Sequence, residues 1–303
     1  MTALKLRHLV PIAFVIIAAG AFLATRSHSE ASTTVQALAE HTHFHGIAVD
    51  PSDPARLYLA THHGLYAVAA DGSATRLSPV QDFMGFTPHP TDPSRLYASG
   101  HPADGGNLGF IASQDGGESW SQLAEGVGGP VDFHQMDVSP ADPKTIYGAY
   151  AGQLQVSRDG GHNWEVVGAA PDGLIDLAAS SKDPGTLYAA TQSGLLKSED
   201  GGRTWQDAYW LRQPATMVHV TPDGAVYAFV VGTGLIETRE PKLSWQTISK
   251  DGFSGDYVLH FAVDPSNHSK HYAITFDPQG QEQAVLASAD AGKTWTPLAR
   301  PTD

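Results

Sequence analysis

Along the chain, short apolar runs alternate with clusters of Pro, Gly, Asp and Ser, and the pattern is clearest over residues 41–64, HTHFHGIAVDPSDPARLYLATHHG. This segment predicts a strand over Phe44–Val49, a reversal at Pro51 and Pro54, a second strand over Leu57–Ala60 and a tight turn at Gly64. The unit recurs. Aligned on the Tyr that closes the second strand, the chain carries Leu57-Tyr58, Leu96-Tyr97, Ile146-Tyr147, Leu187-Tyr188, Val226-Tyr227 and His271-Tyr272, at intervals of 39, 50, 41, 39 and 45 residues. Pro54, Pro93, Pro143 and Pro184 precede four of these pairs at a constant distance, where a fixed φ suits a chain reversal.

Repeats of about 40–50 residues with several short strands each are the mark of a β-propeller. The expected architecture is all-β, a six-bladed β-propeller with blades near 42–80, 81–129, 130–172, 173–213, 214–255 and 256–303; seven blades is the alternative. A second marker follows each Tyr: SQDGGESW (113–120), SRDGGHNW (157–164), SEDGGRTW (198–205) and SADAGKTW (288–295). A worn form, TREPKLSW (238–245), stands in the fifth unit, and only Asp71-Gly72 in the first. The four full copies resemble the Asp-box or BNR repeat, Ser-x-Asp-x-Gly-x-Thr-Trp, of sialidase-like and sortilin-like propellers, and the resemblance runs from residue 42 to the end. In a hairpin of this kind the Asp residues, here Asp115, Asp159, Asp200 and Asp290, accept backbone N–H bonds, Gly supplies positive φ and Trp packs into the blade. The expected role is structural. Residues 32–41 resemble the ends of other blades and are expected to supply a closing strand on blade six.

Propeller topology then sorts the side chains by face. In an up-and-down blade of strands A to D, the A–B and C–D turns share one end of the channel. The B–C turns and the starts of the A strands share the other. His41, His43, His45, His134 and His260 lie at or just before A strands, and His62, His63 and His101 lie in B–C turns, so eight of the thirteen histidines beyond residue 31 fall on one face. Residues two apart on a strand point the same way, so His41, His43 and His45 are expected to present three imidazoles together, with His62 or His63 supplied by the neighbouring turn. Imidazole donors without thiolate suit zinc or copper, and a nearby Met would favour copper. The candidate ligands are His43 and His45, supported by His41, His62 and His63, with His101 and His134 as outer members.

Composition narrows the partners. The chain has no Cys, which excludes disulfides, thiolate metal sites and Cys nucleophiles. Lys5 and Arg7 precede an apolar run from Leu9 to Ala24, and Ser29-Glu30-Ala31 offers a cleavage site, so residues 1–31 are expected to be an export signal, with an uncleaved membrane anchor as the alternative. Either places the propeller in the periplasm or outside the cell. Loss of that segment removes Lys5, Arg7, Arg26 and one acid, Glu30, shifting the formal net charge from −14 to near −16. Such a surface repels phosphate backbones and argues against nucleic acid, while suiting a metal ion or a small polar ligand.

Two other functions are open to a chain of this kind. The resemblance extends to exported proteins labelled glycosyl hydrolases, but the Phe-Arg motif and the three converging Arg of a sialidase are missing here. A two-carboxylate hydrolase would need a pair such as Asp132 and Asp176 acting on a glycan. A non-catalytic propeller that binds a protein partner is the third reading. Metal binding at the histidine-rich face is the reading the residues support best.

Overall fold

The structure, a computed structural model, describes residues 33–298; the expected export signal lies outside the described residues. Among these residues the strands form six antiparallel sheets, each built from strands consecutive in sequence. The inner strands are Phe44–Val49, Met84–Pro88, Gln135–Val138, Leu174–Ala179, Ala215–Val220 and Tyr257–Val263. Each packs against the next around a central channel, and Tyr257–Val263 packs against Phe44–Val49 to close the ring. The protein is a six-bladed β-propeller with almost no helix.

The repeated residues do the packing. Tyr58, Tyr97, Tyr147 and Tyr188, from the second strands of four blades, are essentially fully buried. At each of the four Ser-x-Asp turns the Ser hydroxyl bonds the Asp carboxylate and receives an amide N–H four residues on, as with Gly161 N to Ser157 Oγ at 2.8 Å. The carboxylate then accepts the amide four residues ahead of it, at 2.9 Å in all four turns. Those bonds hold Asp159, Asp200 and Asp290 at about 2, led by Asn163 and Thr204 side chains in the first two and by the Thr294 amide in the third. Each Trp indole N–H donates to the carbonyl three residues back, at 2.9–3.1 Å. The ring of Trp120 lies 4.8 Å from Phe83, and that of Trp164 lies 4.8 Å from Phe133.

The N-terminal segment departs from the expectation. Thr33–Thr34 pairs with the outer strand Ser73–Arg76 of blade one, not with blade six, and makes that sheet five-stranded. The reason is room: Thr296–Pro297 already fills the fourth position of blade six. A short helix, Val35–Ala39, follows with Thr34 as its N-cap, and Val35 and Leu38 are buried beside Val285 and Ile274 of blade six. The segment therefore ties blade one to blade six through apolar packing. Gln283 of blade six adds a clasp, accepting the Phe44 amide at 2.8 Å.

The turn glycines are wedged against the preceding blade. Gly161 has φ +94°, and a Cβ there would lie 2.0 Å from the Phe110 ring of blade two. Gly161→Ala should therefore combine overpacking, about 1–3 kcal/mol, with left-handed backbone strain, about 1–2 kcal/mol. A loss on the order of 3 kcal/mol corresponds to a melting temperature lower by about 6–12 °C, which thermal unfolding followed by circular dichroism measures. An unchanged midpoint would mean that the blade interface is not set by this turn.

Candidate metal centre

Two trios of donor atoms stand where loops meet the upper mouth of the channel. The first joins His45, His62 and Asp82, and the second joins His101, Asp132 and His134; within each, the donor atoms lie within 4.8 Å of one another.

His45 owes its position to a break in strand pairing. The inner strand of blade one begins at Phe44, and its register with the second strand shifts between Phe44, opposite Thr61, and Gly46, opposite Ala60. His45 is the extra residue of that bulge, and a bulge re-aims its side chain. Gly46 yields space to blade two, since a Cβ there would meet Phe86 at 3.2 Å. His62 sits in the two-residue turn between the second and third strands, fixed by Thr61 Oγ1, which donates to the Gly64 carbonyl at 2.9 Å and accepts the His63 amide at 2.9 Å. Asp82 is pinned from both sides: its own N–H donates to the His101 carbonyl at 2.9 Å, and the N–H of Phe83 donates to the Thr61 carbonyl at 3.1 Å.

The His62 ring spans the trio. Its Nε2 is 3.1 Å from His45 Nε2, and its Nδ1 is 3.1 Å from Asp82 Oδ1. His45 Nε2 and Asp82 Oδ1 are 4.0 Å apart. Metal–ligand bonds of about 2.0–2.1 Å put tetrahedral donors about 3.3 Å apart; the two short contacts use opposite nitrogens of His62, so an ion would take one of them and the ring would turn to bring it between His45 and Asp82. Asp82 Oδ1 is buried and lacks a hydrogen-bond partner. Burial, with the charges of His62, His260, His134 and His43, brings His45 down to about 3, so it is neutral near pH 7 with a lone pair to give.

In the second trio, Asp132 Oδ2 lies 2.6 Å from His134 Nε2 and 3.2 Å from His101 Nε2. The Asp132 side chain is 8% exposed, and its other oxygen is buried without a partner. Asp132 precedes Phe133, which is fully buried against Trp164, and the Phe133 amide donates to Ser99 Oγ at 3.0 Å. The hydrogen bond to Asp132 raises His134, and the charges of Asp132 and Asp82 act the same way against burial. Because Asp82 acts on His134 and His134 on His45, the trios lie within each other's electrostatic reach.

The sequence-predicted ligands divide accordingly. His45, His62, His101 and His134 enter the trios. His41, His43 and His45 do not share a strand face: His41 caps the turn after the helix, with its amide on the Leu38 carbonyl, and both His41 and His43 precede the strand. His43 lies beside the first trio, its ring 5.7 Å from that of His62, and His63 is exposed. Met136 and Met217 pack in apolar clusters. Asp82 was not among the expected ligands, yet the repetition of Asp-Phe at Asp82-Phe83 and Asp132-Phe133, just before or within the start of an inner strand, is a signal that could have found it.

The sequence matches no protein-family model, and no curated protein matches it. Among solved structures the chain is similar to the GH74 xyloglucanase from Xanthomonas campestris, at 20% identity and TM-score 0.56 over 84% of this chain and 45% of that one. It is similar to an ancestral GH74 enzyme at 16% identity and TM-score 0.54, covering 84% and 38%, so it spans under half the length of either. A luciferin-regenerating enzyme matches at 11% identity and TM-score 0.58, covering 88% and 98%. These likenesses are of fold. Among the described residues no helix is long and apolar enough to cross a membrane.

The two acids considered for hydrolysis stand apart. Asp132 lines a groove at the mouth, whereas Asp176 lines the channel, a cavity of about 440 Å³. Asp176 accepts the amides of Leu177 and of Val218 in the next blade, both at 2.9 Å. Burial outweighs those bonds and raises Asp176 to about 7. Asp137, which accepts the Ala179 amide at 2.8 Å, is raised by burial to about 6.

The sign of the resulting pH dependence follows from proton counting. Between the unfolded value of about 3.9 and the native value of about 7, the folded protein holds a proton that the unfolded chain has released. The contribution of Asp176 is thus fully present below about pH 4 and is lost as pH rises to about 7. Asp176→Asn should make the fall in unfolding free energy across that window shallower, as urea titrations at a series of pH values would show. A slope identical to that of the unsubstituted chain would contradict the assignment.

Proposed function

We propose that this chain is an exported Asp-box propeller whose channel mouth binds a divalent transition-metal ion, zinc or copper, through His45, His62 and Asp82. The observation that carries the reading is the buried Asp82 Oδ1, without a hydrogen-bond partner, facing two imidazoles. An uncompensated buried carboxylate oxygen is unfavourable, and a cation held between it and neutral imidazole lone pairs removes the penalty. Two nitrogens and one oxygen suit a first-row divalent ion, and the Irving–Williams order favours copper where both metals are offered.

The export reading is supported by the Lys5/Arg7 start, the apolar run and the small residues at Ala31. The Asp-box reading is supported by the Ser–Asp–Gly–Trp bonding repeated in four turns. The two candidate acids open on different cavities, which does not favour a paired-carboxylate hydrolysis.

The test is isothermal titration of the metal-stripped full chain with Zn²⁺ and with Cu²⁺, alongside elemental analysis of the protein as purified. His45→Ala/His62→Ala should lose one tight equivalent, its affinity falling by at least about 100-fold, or about 2.7 kcal/mol, while circular dichroism stays unchanged. An isotherm indistinguishable from that of the unsubstituted chain overturns the reading.

A further inference from the structure

The second trio carries an observation of its own, in the hydrogen bond that fixes the His101 ring. Its Nδ1 lies 2.7 Å from the carbonyl oxygen of Gly106. A carbonyl only accepts, so Nδ1 carries a proton and donates it. In a neutral His101 the other nitrogen, Nε2, then bears a bare lone pair. That lone pair lies 3.2 Å from Asp132 Oδ2, an acceptor facing an acceptor. A cation held between Nε2 and the carboxylate removes the repulsion. Metal-bound histidines use this same pattern, with the outer N–H fixed on a backbone carbonyl so that the inner nitrogen points its lone pair at the ion.

Three further features favour the cation. Asp132 Oδ1 is buried and unpartnered, so the histidine contacts, both made to Oδ2, leave half of the carboxylate uncompensated, and an ion drawing on both oxygens relieves it. His134 brings a second nitrogen to the same oxygen, giving a donor set of two imidazoles and one carboxylate, the composition of the first trio. The backbone link from the Asp82 amide to the His101 carbonyl fixes the trios side by side, and the charges of one act on the other.

We propose that His101, Asp132 and His134 bind a second divalent transition-metal ion, so that the channel mouth is a two-ion centre shared by blades one, two and three. The two-ion arrangement rests on the first site proposed above, but the second ion has its own ligands and its own test. Asp132 and His134 also line a groove of about 570 Å³ with Gln135, Tyr150 and Leu174, so an ion held by them is reached from solvent.

The experiment uses the metal-stripped full chain and three forms: unsubstituted, His101→Ala/His134→Ala, and His45→Ala/His62→Ala. Titration with Zn²⁺ should give two equivalents for the first and one for each variant, with far-ultraviolet circular dichroism unchanged. With Cu²⁺ at two equivalents, the electron paramagnetic resonance spectrum of the unsubstituted chain should show dipolar broadening that both variants lack. If His101→Ala/His134→Ala binds as much metal as the unsubstituted chain, with the same affinities, the second site is overturned whatever happens at the first. If that variant loses an equivalent but two Cu²⁺ ions give no broadening, the sites are separate and the two-ion centre is overturned. Should the alanine variant fail to fold, His101→Phe keeps the ring volume, and the same loss of one equivalent is expected. Retention of both equivalents in that folded variant would count against the proposal.

Discussion

A closed ring of blades leaves one edge of every inner strand facing the channel, and the free N–H and C=O groups of that edge must be satisfied without a further strand. This protein meets the requirement partly with side chains reaching from one blade to the next. Asp137 of blade three accepts the Ala179 amide of blade four, and Asp176 of blade four accepts the Val218 amide of blade five. Thr216 of blade five donates to the Val258 carbonyl of blade six. The carboxylates hold these positions although burial penalises their charge, because an orphaned amide would carry its own desolvation penalty. Acids inside the channel are therefore committed to holding the ring together.

Above the starts of the inner strands that demand lapses, and the chain holds its polar side chains in another way. Asp82 and Asp132 each precede a Phe whose ring is fully buried against the Trp of its own blade's Ser-x-Asp turn, Phe83 on Trp120 and Phe133 on Trp164. The adjoining amides are tied to the previous blade, to the Thr61 carbonyl in one case and to Ser99 Oγ in the other. A scaffold turn at the lower end of the blade thus fixes a carboxylate at the upper end, through one tilted aromatic pair. Blade one has only Asp71-Gly72 in place of a full turn motif. There Phe44 is held instead by Gln283 of blade six and by the cluster that includes Val35 and Leu38.

The difference in legibility between fold and site has the same origin. Blades repeat, so the Tyr, Pro, Asp and Trp positions declare themselves by recurrence, and the six sheets follow from them. The site is made where blades differ. Strand alternation predicted that His41, His43 and His45 would point together, but alternation holds only within regular pairing, and a helix and a bulge interrupt it. Topology did bring His45, His62, His101 and His134 to one end, because it depends on chain direction and not on register. Asp82 is less legible as a ligand in the sequence, since its partners come from blade one and contacts between blades have no sequence period. The N-terminal strand was misassigned for a related reason: resemblance to other blade ends does not say which edge is vacant.

The donor count at the mouth bears on what such a centre would do. Each trio offers two imidazoles and one carboxylate, so a dication held through imidazole lone pairs would keep a net positive charge. Structural zinc sites are closed by four protein ligands, whereas sites that handle a further molecule keep three and leave a position open. Three ligands per ion, a net positive charge and a groove reaching Asp132 and His134 belong with the second kind. The acidic surface does not oppose this, because its field would draw cations toward the mouth. A filled centre would reverse the local charge within a few ångströms of the ions and would draw an oxygen donor to the open positions. The channel below is lined by prolines of the lower turns, by histidines such as His219 and His260, and by Asp137 and Asp176, which are already bonded to the next blade. The centre proposed here therefore lies at the rim, where residues of three blades meet.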